Sequence, residues 1–90
     1  MLDIFYSAKF KKDYKRVMKQ GKDPDVLFHV VDLLAREQPL PAQYRDHPLT
    51  GNYTGHRECH LQPDWLLIYK QESDRLTLTL TRTGSHSDLF

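Results

Sequence analysis

Between residues 76 and 83 the chain reads Leu-Thr-Leu-Thr-Leu-Thr-Arg-Thr, and this alternation constrains its fold more than any other feature. Successive side chains of a strand point to opposite faces, so Leu76, Leu78 and Leu80 share one face and Thr77, Thr79, Thr81 and Thr83 the other. Such a segment persists only as a half-buried antiparallel strand with an apolar layer against its leucine side. The layer has to come from the first half of the chain, where the period changes. Phe10, Tyr14, Val17 and Met18 recur at helical spacing, behind Ser7 as an N-cap and before Gly21 as a left-handed stop. This predicts a helix over 8–20. Asp23-Pro24 opens a second helix, whose face is Val26, Leu27, Val30, Val31, Leu33 and Leu34 and which Pro39 ends near Gln38.

Ile4, Phe5 and Tyr6 read as a first short strand, and 55–61, 65–71 and 76–83 as three more, turned at Pro63-Asp64 and at Glu72-Ser73-Asp74. A loop over 39–55, rich in proline and glycine, is long for a compact domain, and loops of that length are often functional. The order β-α-α-β-β-β predicts one α+β domain over residues 1–90, two helices packed on a twisted antiparallel sheet.

Ninety residues leave room for a single core. No apolar run approaches the ~20 residues of a membrane helix. The Met1–Tyr6 segment lacks the basic and apolar regions of a secretion signal, so a cytoplasmic protein without a membrane partner is expected. Cys59, the one cysteine, excludes an internal disulfide and a multi-thiolate zinc site. The net charge of +1 hides an asymmetry: residues 1–22 carry seven basic against two acidic side chains, and the rest sums to −4. A basic first helix suits a polyanion or an acidic protein partner, with a merely solvated face as the plain alternative.

Five histidines carry the chemistry that remains. His29 falls within the second helix and reads as structural, whereas His47, His56, His60 and His86 lie in the loop, a strand and the tail. His56 and His60 sit four apart on a strand, roughly 13 Å, too far to share an ion; a metal would need His47, His60, Asp64 and His86 to converge, and with no local metal motif no metal or other cofactor is expected. Cys59 alternates with Arg57 and Leu61, reads as a buried inert thiol, and no strained nucleophile turn supports a serine hydrolase. Acid–base cleavage of RNA fits better. The 2′-hydroxyl must lose a proton as it attacks phosphorus and the leaving 5′-oxygen must gain one, tasks for imidazoles at neutral pH. His47, His60, Asp64, His86 and Arg82 offer the parts, Arg82 as stabiliser of phosphoryl charge at the end of the leucine face.

The motifs Asp46-His47-Pro48-Leu49, Pro63-Asp64-Trp65 and Arg82-Thr83-Gly84-Ser85-His86, with Leu89-Phe90 at the end, resemble the YafQ branch of the RelE-like toxin superfamily over residues 4–90. The resemblance implies a microbial RNase fold and a type II toxin that cuts mRNA in the ribosomal A site, with the 70S ribosome and a cognate antitoxin as partners. It also implies catalytic roles for His47, His60, Asp64 and His86, and roles in activity for Trp65 and Phe90. Trp65 is expected either to stack on a base or to fill the core. His56 and Arg57 are candidate RNA contacts on the same strand. Lys9, Lys11, Lys12, Lys15, Arg16 and Lys19 are expected to meet ribosomal RNA phosphates or an acidic antitoxin segment. The reading from another class is a non-catalytic toxin-fold protein that blocks a DNA-handling enzyme; relatives of that type lack the histidine set.

Overall fold

The computed structural model describes all ninety residues. Five strands, β1 (Asp3–Tyr6), β2 (His47–Pro48), β3 (Arg57–Gln62), β4 (Trp65–Glu72) and β5 (Thr77–Gly84), form one sheet in the order β1-β5-β4-β3-β2. Helices α1 (Ala8–Lys19) and α2 (Pro24–Ala35) cover one face, and a single turn, α3 (His86–Leu89), ends the chain. Phe10, Val17, Leu27, Val30, Val31 and Leu34 pack with Cys59, Leu67, Tyr69, Leu78 and Leu80 as the main core. This is the expected α+β layering. No helix is long and apolar enough to cross a membrane.

Local signals account for the helices. Ser7 accepts the Phe10 N–H at 2.9 Å, while its hydroxyl donates to the Thr81 carbonyl at 2.7 Å and so ties the start of α1 to β5. Gly21, at φ 83°, ends α1 through its N–H to Met18 and the Lys22 N–H to Val17, both 3.1 Å. Helix α2 stops at Ala35, three residues before the expected end. Glu37 takes the left-handed conformation at φ 56°, and the same pair of bonds closes on Leu34 and Leu33. The apolar face is used up by Leu34 and Ala35, so nothing holds a further turn.

Three features depart from the sequence reading. β1 pairs with β5 in parallel, Asp3 opposite Thr77 through Tyr6 opposite Leu80, which makes the sheet mixed. Side-chain alternation is the same in either direction and could not distinguish them. The loop after α2 contains β2 and two 3-10 turns, 42–44 and 51–53, with His47 opposite Glu58 on the edge of β3.

Third, the β4–β5 register slips: Ile68 faces Arg82, but Tyr69 faces Leu80, leaving Thr81 as an extra residue. One inserted residue inverts the facing of all that follow. Thr83 therefore turns into the helix-side core instead of continuing the threonine face, and Arg82 leaves the leucine face to lie opposite Ile68. Thr83 is fully buried, accepting the Trp65 indole N–H at 2.9 Å and donating to the Leu66 carbonyl at 2.7 Å.

Cys59 is the most inert group in this core. Burial, aided by the nearby Asp46 and Glu58 charges, pushes its thiol up to about 12. A thiol reagent at pH 8 should leave native protein unmodified and label it stoichiometrically in denaturant; fast labelling of the native state would contradict the packing.

Candidate acid–base site

The face away from α1 and α2 carries only a small second core, Leu66, Ile68 and Leu89 with Leu49 and Tyr53 against it, and beside it the sheet is open. Alternation along β3 decides what reaches that face. Cys59 and Leu61 join the helix-side core, so Glu58 and His60 point the other way. β2 brings His47 alongside them, and the α3 turn brings His86. The His47 and His60 ring centroids are 6.1 Å apart and those of His60 and His86 5.8 Å. Side chains from the loop, β3, the β3–β4 turn and the tail thus meet at one place.

Two carboxylates organise the imidazoles. Oε1 of Glu58, a buried residue, lies 3.7 Å from His47 Nε2 and 3.5 Å from His60 Nε2. His47 Nδ1 is 2.8 Å from the Arg45 carbonyl. Because a carbonyl can only accept, Nδ1 carries the proton and Nε2 is the nitrogen turned to the cluster. Asp64, in the turn between β3 and β4, accepts the backbone N–H of His86 at 3.2 Å and lies 3.5 Å from its Nδ1. A capping box, the Ser85 hydroxyl accepting the Asp88 N–H and the Asp88 carboxylate accepting the Ser85 N–H, fixes α3 as well. A hollow of about 250 Å³ opens against His60, lined also by Arg45 and Gln62.

The other expected residues are placed differently. Arg82 is held by Asp13, Nε to Oδ2 at 2.7 Å and Nη2 to Oδ1 at 3.2 Å, so its charge is largely matched from α1. Arg16, half-buried, is engaged too, bonded to Asp13 and the Thr83 carbonyl at 3.0 Å each, and is not a free phosphate contact. Arg57 shares its facing with Cys59 and bonds Asp46 at 3.2 Å, on the helix side of the sheet and away from the histidines. Tyr69 donates to the same carboxylate at 2.5 Å, so this clamp anchors the loop just before His47. Trp65 is fully buried and fills the core, which leaves it no face for a base. Lys9, Lys11, Lys12, Lys15 and Lys19 are exposed along α1, and Phe90 is exposed at the end of the histidine row.

Glu58, Asp13 and Arg45 carry weight that sequence reasoning missed. The signal for Glu58 was its parity with His60; Asp13, a charge within the apolar stripe of an otherwise basic helix, was the signal for a buried ion pair.

An α+β domain with a row of imidazoles and two carboxylates on its uncovered sheet face defines a small protein equipped for proton transfer, without a fixed nucleophile. The family model for the YafQ bacterial toxin of type II toxin–antitoxin systems matches residues 2–90. The mRNA interferase toxin YafQ of Escherichia coli K12 is 47% identical over 89 residues, covering 98% of this chain and 95% of that protein. A metal-bound toxin from Helicobacter pylori superposes with a TM-score of 0.94 at 52% identity, over 100% of both chains. YafQ in the E. coli DinJ–YafQ toxin–antitoxin complex superposes at 0.89 with 46% identity, over 99% of this chain and 97% of that one. This chain belongs to the YafQ family of type II toxins.

The H. pylori relative raises the question of a metal. His47, Glu58 and His60 each present one ligand atom, all within 4.8 Å of one another. Two imidazole nitrogens and a carboxylate oxygen suit zinc or copper with little adjustment. The trio shares His47 and His60 with the set that a metal was expected to need, and takes Glu58 where Asp64 and His86 were expected.

Proposed function

We propose that this toxin is an mRNA endonuclease that acts in the cytoplasm on ribosome-bound message, cutting without metal and leaving a 2′,3′-cyclic phosphate and a 5′-hydroxyl. The observation that carries the reading is the meeting of His47, His60 and His86 with Glu58 and Asp64 on the open sheet face. The name of the E. coli relative, an mRNA interferase, supports the substrate class. Within this cluster one imidazole takes the 2′-hydroxyl proton and another protonates the 5′-oxygen, and the carboxylates fix tautomer and orientation. Rings about 6 Å apart leave room for a phosphate bonded to both. Arg45, which has no ion-pair partner, stands at the hollow beside His60 and supplies charge there that Arg82 shares with Asp13.

The cognate antitoxin meets the basic α1 surface with an acidic segment, as charge complementarity favours. Expression in cells followed by mapping of RNA ends tests the whole reading. New 5′-hydroxyl ends within translated messages are expected, abolished by co-expression of the neighbouring antitoxin. Intact transcripts with arrested replication would transfer the case to the non-catalytic reading.

When bound, a metal would be held by His47, Glu58 and His60 and would supply a Lewis acid there. It would also occupy the nitrogens needed for proton transfer. Chelator should therefore leave cleavage unchanged, while zinc or copper titrated to stoichiometry should suppress it and perturb the His47 and His60 ring signals by NMR. Loss of cleavage in chelator, restored by zinc, would overturn the metal-free assignment.

A further inference from the structure

The histidine row does not stop at His86. The Phe90 ring lies 6.3 Å from His86, Tyr53 6.0 Å from Phe90, and His56 5.9 Å from Tyr53, so aromatic rings run on from the acid–base cluster. Tyr53 is seated on the second core, and its hydroxyl lies beside Arg82. Phe90 is 63% exposed, an apolar ring at the surface outside both core clusters. Beside these two rings opens a hollow of about 560 Å³, lined by Lys9, Thr50, Asn52, Tyr53, Leu89 and Phe90. Its volume falls within the roughly 300–1,000 Å³ typical of small-molecule sites.

The lining has the chemistry that single-stranded RNA recognition requires. Phe90 offers a face for stacking a base, and Tyr53, inclined at 77° to it, closes the hollow at right angles. The Asn52 carboxamide presents a donor and an acceptor together, matching the edge of a base, and Thr50 adds a hydroxyl. Lys9, at the rim, is the cation for an adjoining phosphate.

We infer that this hollow binds the nucleobase flanking the scissile phosphate, with Phe90 as the stacking ring, Tyr53 as the wall at right angles to it and Asn52 as the reader of the base edge. The inference rests on the nuclease reading for its place in the reaction, because the His86 ring joins hollow and cluster. It assigns sequence preference to a segment, 50–53, that stands outside the acid–base set.

Asn52→Ala is the test. Discrimination among the four bases at one position beside the cut should fall roughly 10-fold in the variant, through slower cleavage at the preferred base, as for loss of a paired base contact. An unchanged preference in Asn52→Ala would overturn the inference and leave the nuclease reading standing. A second measurement needs no cleavage: 2′-O-methyl trinucleotides of each base, titrated into the full chain by NMR. Shifts at Asn52, Tyr53 and Phe90, with one base bound more tightly than the others, are expected. Shifts elsewhere only would overturn the site, and this titration judges the hollow even if the protein cuts no RNA.

Discussion

Replacement of His86 by alanine should lower RNA cleavage by roughly 10²–10⁴-fold, the usual contribution of a general acid or base, while leaving the fold intact. The two effects separate cleanly because the His86 side chain is 56% exposed and contributes nothing to either core. Its backbone N–H to Asp64 and the Ser85–Asp88 capping box remain in the variant. Asp64→Asn should cost less, because asparagine keeps an acceptor oxygen for the His86 backbone N–H. Cleavage of a translated message in extract, followed on a gel beside melting curves of both variants, measures this. Full activity of His86→Ala would refute the assignment.

Asp13→Ala should be the most destabilising single change in the molecule outside the apolar core. The residue is 3% exposed and accepts hydrogen bonds from Arg82, Arg16 and the Thr83 N–H. Beyond Tyr6 the β1 strand no longer covers the edge of β5, and Asp13 and Arg16 satisfy the Thr83 N–H and carbonyl there in place of a strand. Removing the carboxylate leaves a peptide N–H and a guanidinium without their acceptor, a loss of about 3–5 kcal/mol. For a domain of this size that lowers the melting temperature by roughly 15 °C or more. Burial by itself would raise the Asp13 carboxyl, but bonds from Arg82, the Thr83 N–H and Arg16 outweigh it and hold the group below its ordinary 3.8. The contribution is therefore complete above about pH 4 and disappears as pH falls through the lowered folded value. Urea titrations of parent and variant should differ widely at pH 7 and converge in acid. Melting temperatures within 2 °C at pH 7 would show the pair to be without net effect.

Much of this architecture was legible because it follows from near neighbours in the chain. Ser7, Gly21 and Asp23-Pro24 set the ends of the helices through bonds spanning five residues or fewer, and those bonds are present. Alternation placed Cys59 and Leu78 in the core correctly for the same reason. Arg57 shares the parity of Cys59, so the same alternation puts it on the helix side, bonded to Asp46 and away from the expected RNA contacts.

The chain alone determined which segments are helix and strand, which faces are apolar, and which residue types are available for proton transfer, since each depends on a local period or on composition. Tertiary structure alone decided the parallel pairing of β1, the bulge that turns Arg82 onto the open face and Thr83 into the core, and the seating of Glu58 between His47 and His60. Each of these is a choice of strand partner between residues 11 to 74 positions apart. Such a choice is settled by the competition of whole surfaces for burial, which no local pattern records.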